Sequence, residues 1–325
     1  MLFFIIIIAY FFYGLQPAAW SGGSSTSDEA SIQFRIIRGE GFRDIGARLS
    51  QTKLLKSIAV FKFYSLLTGR AQRFQPGIYQ LSDTMSVPEI VRILTAGGKN
   101  EVTVTIPEGT TVKDIDAILA VYGIIEKGEL NSFRPDELAS EYQFLTGVHS
   151  FEGFLFPDTY RFNLNSSVEK IVRVFLDTFT VKSWPELESK KDWYDFLILA
   201  SYLEREVPEF NDRQIVAGIM FKRLKLGIPL QIDATLSYAK CDGELMECPT
   251  LLVGREDLTI ASPYNTYQRL GWTPTPISNP GQAAIKAAVT PKTSPYLFYL
   301  SASKTKETLF SKTLEEHNIK RAKYL

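Results

Sequence analysis

The chain opens on an unbroken apolar run, MLFFIIIIAYFFYGL over Met1–Leu15, with no charged side chain. Extended to Trp20 it gives twenty residues, about the number a helix needs to cross a hydrocarbon core roughly 30 Å thick. Three readings fit this run. The one taken here is a single N-terminal membrane anchor over 1–20, with Trp20 at the interface. A cleaved signal peptide is disfavoured by the missing basic leader. A buried core helix rarely opens a chain with so continuous an apolar stretch. The first basic residue is Arg35, so charge bias says little about orientation. Residues Ser21–Ser31, SGGSSTSDEAS, are small and polar and read as a flexible linker. Everything from residue 32 onward is patterned like a folded module.

Between residues 30 and 120 the pattern repeats. GEGFRDIGARL (Gly39–Leu49) aligns without gaps on GTTVKDIDAIL (Gly109–Leu119), and SVPEIVRIL (Ser86–Leu94) is a partial third copy. Each copy follows an extended segment: Ile32–Ile37, Gly77–Leu81 and Glu101–Ile106. Each then begins a helix. Ser86 with Glu89, and more weakly Thr111 with Asp114, have capping-box spacing. Ile90, Ile93 and Leu94 fall on one helical face, as do Ile115, Ile118 and Leu119. A further helix is expected over Ile58–Leu67. The resulting β-α-α-β order over Ile32–Leu81 resembles a LysM-type glycan-binding module, here bounded as 32–100. The alternative is a small α/β spacer with no ligand. From Trp193 onward helices alternate with motif-bearing loops. Tyr296–Leu300 and Thr308–Phe310 read as strands, and a last helix starts at Thr313 with Glu316 completing its box. The fold class is therefore α+β, with a larger domain over 101–325.

Composition changes this picture little. Lys and Arg number 36, Asp and Glu 36, and no half of the chain reads as a surface for a polyanion, so nucleic acid is a poor partner. The 22 Phe and 15 Tyr suit cores first and sugar faces second. Two cysteines, Cys241 and Cys248, cannot by themselves make the usual four-ligand zinc site, and the chain has only two histidines, His149 and His317. The cysteines fit either a small disulfide loop or two reduced thiols. No cofactor and no metal is expected.

Four segments carry candidate chemistry. FEGFLFPDTY (Phe151–Tyr160) sets Glu152 and Asp158 among aromatic residues in a shaped loop: a cleft carboxylate or a paired, buried one. DFLILASYLEREV (Asp195–Val207) is an apolar helix bearing Glu204 and Glu206. Positions 197, 200, 201 and 204 share one side, and Glu206 points about 200° away, so the two carboxylates are no dyad. A Glu on an apolar face has its charged form disfavoured, which suits a general acid. The bland alternative is a Glu held by a neighbouring Arg or Lys. In LGIPLQIDATLSY (Leu226–Tyr238), Gln231, Asp233 and Thr235 alternate with apolar residues. Period two puts them on one side of an extended strand, suited to sugar hydroxyls or simply to solvent. SPYNTY (Ser262–Tyr267) offers Tyr264, Asn265, Thr266 and Tyr267 for stacking and amide bonds, or is a plain turn. Asn279 and Pro280 read as the N-cap and first residue of a helix.

Taken with the N-terminal run, FEGFLFPDTY, LASYLEREV, RLKLGIPLQIDATLSY, SPYNTY, ISNPGQAAIKAA and SPYLFY make the chain similar to the endolytic murein transglycosylase, or YceG-like, family. The resemblance runs over essentially the whole chain and is densest over 151–300. It implies a peptidoglycan lyase held at the cytoplasmic membrane, with its catalytic domain outside, working alongside peptidoglycan synthases. Such a lyase cuts nascent strands internally between N-acetylmuramic acid and N-acetylglucosamine, leaving 1,6-anhydro ends. It assigns the catalytic glutamate to Glu204 and the glycan cleft to Glu152, Gln231, Asp233, Thr235, Tyr264 and Asn265. On this reading Glu204 serves as acid and then base, and Gln231 and Asn265 orient the sugar. The departures are the missing basic leader and a long, Cys-bearing 240–257 insert. Two alternatives stand beside it: a hydrolase using Asp233 or Glu152 as a second carboxylate, and a non-catalytic wall-binding scaffold.

Overall fold

The computed structural model describes residues 2–19, 31–98, 101–164, 166–302, 305 and 307–324. The linker expected over 21–31 lies outside these, apart from Ser31. In chain order the elements are α1 (Leu2–Leu15), β1 (Ile32–Ile36), α2 (Phe42–Gln51), α3 (Ile58–Leu67), β2 (Gly77–Leu81), α4 (Val87–Ala96), β3 (Glu101–Thr105) and α5 (Val112–Val121). There follow α6 (Glu129–Ser132), β4 (Thr159–Asn163), α7 (Val168–Lys182), α8 (Trp184–Leu187), α9 (Trp193–Glu206), α10 (Phe210–Lys225) and α11 (Asp233–Lys240). The chain ends with α12 (Gln282–Val289), β5 (Phe298–Ser301), β6 (Thr308–Ser311) and α13 (Leu314–Tyr324). The strands form three two-stranded sheets, β1-β2, β3-β4 and β5-β6. This is a mixed α+β architecture.

Two compact units make up the chain. The first comprises Met1–Thr103, Val121–Ile124 and Arg161–Ser166, and the second Val104–Ala120, Ile125–Tyr160 and Ser167–Leu325. In the first, β1 and β2 pair antiparallel with Phe34 opposite Tyr79 and Ile36 opposite Gly77. Their inward residues, Phe34, Ile36, Tyr79 and Leu81, close over Ile45, Leu49, Phe61, Ile90 and Leu94 from α2, α3 and α4. The Glu89 carboxylate accepts both the Ser86 backbone N–H, at 2.8 Å, and the Ser86 hydroxyl. These bonds hold its pKa below the usual carboxylate value. At the start of α5 the Thr111 hydroxyl accepts the Asp114 N–H, but Asp114 does not reciprocate: it turns to the Met246 N–H instead.

The N-terminal helix differs from the expected span. Its 14 residues reach about 21 Å at 1.5 Å each. Among the described residues, no helix is long and apolar enough to cross a membrane. Phe11 packs edge-on to Phe63 of α3, and the Tyr10 hydroxyl hydrogen-bonds Ser57.

The second unit is built around α9. Leu197 through Leu203 are all buried, because α10, α11 and α12 pack around it; a helix apolar all round belongs inside a core. The small side chains of α12, Ala284, Ala287 and Ala288, let that helix approach closely. Gly218 on α10 has a similar use: a Cβ there would sit 1.9 Å from the Lys292 carbonyl oxygen. Helix α12 begins later than expected, with Gly281 at its N-cap position. Asn279 is drawn instead into a buried knot. Its Oδ1 accepts the N–H groups of Gly153 and Leu155, and its Nδ2 donates to Thr110 O and Glu152. Cys241 and Cys248 are joined as a disulfide with Cα atoms 5.6 Å apart, which resolves the choice left open by the sequence.

Candidate active site

Helix α9 sends its two glutamates to different places, as their spacing requires. Glu206 is its last residue and meets the start of α11. One carboxylate oxygen accepts the Ala234 N–H at 3.0 Å, and the other accepts the Tyr299 hydroxyl at 3.5 Å. The residue is half-buried: one side forms part of a cavity wall and the rest is packed in protein. Burial drives its pKa up to about 7. The Asp233 charge adds to the rise, while the Ala234 N–H, the Tyr299 hydroxyl and Arg205 oppose it.

The cavity holds about 440 Å³ and lies within the second unit. Glu206, Gln231, Asp233, Tyr267 and Tyr299 line it, with Arg223, Arg255, Phe298, His317 and Arg321. Gln231 takes a left-handed backbone, φ 55°, and its side-chain oxygen accepts Arg223 Nη2 at 2.5 Å. Asp233 accepts the Tyr267 hydroxyl, and this bond, after burial, raises the Tyr267 pKa. Burial and nearby positive charges, Arg321 foremost, lower the His317 pKa.

The remaining expected site residues are elsewhere. The alternating stretch Gln231–Thr235 is not a strand: Gln231 and Ile232 lead into α11, which starts at Asp233. Thr235 therefore turns inward. It is fully buried and hydrogen-bonds Ile232 O and the Thr266 hydroxyl. Asn265 is also fully buried. It donates to Leu258 O and Ile260 O and accepts the Tyr267 N–H, so it shapes the loop that carries Tyr267. The Tyr264 hydroxyl bonds Thr275, and its ring packs on Tyr238.

Glu152 is 2 % exposed and lies at the start of α5, where it accepts the Val112 N–H, the Asn279 amide and the Tyr238 hydroxyl. Burial raises its pKa to about 8. It belongs to the Asn279 knot and not to the cavity.

Glu204 has the partner that the bland reading supposed. Its Oε1 accepts Arg213 Nη2 at 2.8 Å and its Oε2 accepts the Gly281 N–H at 3.0 Å; the two side chains are 6 % and 8 % exposed. Glu108 lies beside this pair, its pKa raised by burial and by the Glu204 charge and restrained by Arg213. Neither Glu204 nor Glu108 lines the cavity.

Of the expected residues, then, the fold brings together Gln231, Asp233 and Tyr267, and adds Glu206 and Tyr299. The two tyrosines end SPYNTY and SPYLFY, so the motifs marked them. Glu206 carried a signal too, as the other half of the Glu-Arg-Glu pair. Among the described residues no group of three or more His, Cys, Asp or Glu is placed to hold a metal ion.

Comparison with known proteins places the chain in a family. Residues 34–323 match the YceG-like family. A Bacillus subtilis protein named endolytic murein transglycosylase is 31% identical over 99% of this chain and 91% of its own length. A Streptococcus pneumoniae protein of the same name is 25% identical over 87% of this chain, which spans 56% of that longer protein. The crystal structure of a YceG-like protein from Listeria monocytogenes superposes with a TM-score of 0.56, at 30% identity, over 90% of this chain and 99% of its own. The chain belongs to the YceG-like family.

Proposed function

We propose that this protein is an endolytic peptidoglycan lytic transglycosylase, with Glu206 as its acid and base. One observation carries the reading. Glu206 presents a desolvated carboxyl, its pKa pushed up to about 7, at the wall of a polar cavity beside Asp233. A carboxyl group near its pKa at neutral pH can both give and take a proton. Glu204 lacks that setting, since its carboxylate is occupied by Arg213 and the Gly281 N–H. The names of the relatives supply the substrate class: murein, cut within the strand.

In this mechanism the Glu206 hydroxyl gives its proton to the glycosidic oxygen as the bond to the muramoyl C1 breaks. The muramoyl C6 hydroxyl attacks C1 and passes its proton to the Glu206 carboxylate. Acid is regenerated and a 1,6-anhydro end remains, with no water consumed. Gln231, fixed by Arg223, orients the sugar, and the Asp233 charge favours the positive charge that develops at C1. Asp233 also keeps the hydrolase reading alive, because it could serve as a second carboxylate. Mass spectrometry of digested, purified glycan strands decides: anhydro ends are expected, and reducing ends alone would replace the lyase by a hydrolase.

Action on the wall puts the second unit outside the cytoplasm, and we draw the enzyme as attached to the cytoplasmic membrane through α1. Its support is the exposed apolar row Ile6, Ile7, Ile8, Tyr10, Phe12 and Tyr13. Deleting residues 2–19 is expected to move the protein into the soluble fraction; retention at the membrane would end this part of the proposal. The β-α-α-β order of β1, α2, α3 and β2 likewise supports a LysM-like role in holding glycan.

A further inference from the structure

The cavity that Glu206 lines is lined as well by three arginines, Arg223, Arg255 and Arg321. Its two carboxylates are bound by other partners, Glu206 by Ala234 and Tyr299, and Asp233 by Tyr267. Among the described residues, no ion pair joins any of these arginines to a carboxylate. Arg223 is already committed: it donates to Pro229 O, Leu297 O and Gln231. Arg255 and Arg321 are exposed and have no hydrogen-bonded partner among the described residues. Both sit on supported backbone. The Asp257 carboxylate takes the Gly254 N–H at 2.8 Å and Lys240 at 2.9 Å, which fixes the turn carrying Arg255. One turn before Arg321, the His317 ring stacks on Phe298 at 5.3 Å, which seats α13 on β5.

A glycan chain offers these cations hydrogen-bond acceptors but no counter-charge. Its hydroxyl and acetamido groups are neutral, and wherever a stem peptide is attached the lactyl carboxyl is consumed in an amide. The anionic groups on such a strand are the carboxylates of the stem peptide. A guanidinium binds a carboxylate through two parallel N–H bonds, which makes arginine the suited reader of that group. We infer that Arg255 and Arg321 form a subsite for a stem-peptide carboxylate, so that the enzyme prefers peptide-bearing, acidic strands. The inference rests on the glycan-cutting function proposed above and adds a specificity determinant to it.

The test compares peptide-bearing strands with the same strands after their carboxyl groups are converted to amides. Wild-type kcat/KM is expected to be about 5- to 10-fold higher on the free acids, the low end of what a charged hydrogen bond supplies once exposure is allowed for. In Arg321→Ala, and in Arg255→Ala, the ratio should fall toward one, chiefly through KM on the acidic strands. Added salt should shrink the wild-type ratio in the same way. Both residues are exposed, so unchanged melting temperatures would confirm intact folds. A wild type indifferent to amidation, or variants that keep its ratio, would overturn the subsite. If the wild type cuts neither substrate, the lytic function fails by itself. The subsite is then read by titrating the full chain with soluble disaccharide-peptide fragments, free or amidated: equal affinities for both forms would refute it.

Discussion

Glu206→Gln is expected to lower kcat on glycan strands by about 10²- to 10⁴-fold, the usual contribution of a positioned acid and base. The amide keeps the size of the side chain and still accepts the Ala234 N–H, so the fold should survive. Glu204→Gln is the informative companion. It trades a charge for a dipole in a pair outside the cavity, and should affect stability more than turnover. The opposite pattern, an inactive Glu204 variant beside an active Glu206 variant, would return the acid role to the residue that the family resemblance singles out. The pH profile gives a second reading. The acid must be protonated, and its pKa lies at about 7, so kcat/KM should fall about tenfold per unit above that value. Stability should follow the same group. Its folded pKa is raised from 4.5 to about 7, so the native state holds a proton that the unfolded chain releases sooner. The stability that this group contributes is therefore full below pH 4.5 and is lost as pH rises through 7. The neutral glutamine is free of this, and at pH 8 should be more stable than the wild type by roughly 3 kcal/mol.

Local order was legible where local physics decides it. The periodicity over Ile58–Leu67 matches α3, and all three strand–turn–helix repeats are present. Each is set by an apolar face, and the second and third also by a side-chain cap, which neighbours in sequence supply. The misread segment is Gln231–Thr235. Five residues of alternating polarity fit a strand, but they fit a turn into a helix as well, and so short a run cannot discriminate. What decided it was tertiary: the Gln231 N–H bonds Thr266 O, the Ile232 N–H bonds the Thr266 hydroxyl, and Ala234 gives its N–H to Glu206. The choice between the glutamates, where the proposal departs from the sequence reading, has a similar root. Helical geometry correctly put Glu204 and Glu206 on separate faces. Which face opens on a cavity depends on α11, β5 and α13, which lie 27 or more residues further on. Glu152 shows the same limit. A carboxylate among aromatic residues signals burial, but only the fold reveals that Asn279, Tyr238 and the start of α5 hold it there.

Removing Arg213 should have the largest effect on stability. Its guanidinium is nearly buried, donates to the Glu204 carboxylate at 2.8 Å and to Val207 O at 2.6 Å, and restrains the raised pKa of Glu108. In Arg213→Met the packing volume is roughly kept, but a buried carboxylate loses its counter-charge next to a second acidic group, and the Val207 carbonyl loses a donor. Breaking a buried pair from one side costs about 3–5 kcal/mol. For a unit of this size that lowers the melting temperature by roughly 10 °C. The loss should depend on pH with a definite sign. Without Arg213 the Glu108 carboxyl titrates still higher in the folded state than its usual 4.5. A carboxyl raised in the folded state stabilises at low pH and ceases to do so as pH rises through its folded value. The share of the deficit that Glu108 carries should therefore be absent near pH 4 and present at pH 8. Calorimetry of both proteins across that range measures it, and a deficit independent of pH would assign the cost to lost packing instead of uncompensated charge. Replacing Glu204 together with Arg213, by Gln and Met, removes the stranded charge and should recover a large part of the loss, since a buried pair exchanged whole for neutral groups is often close to neutral in stability.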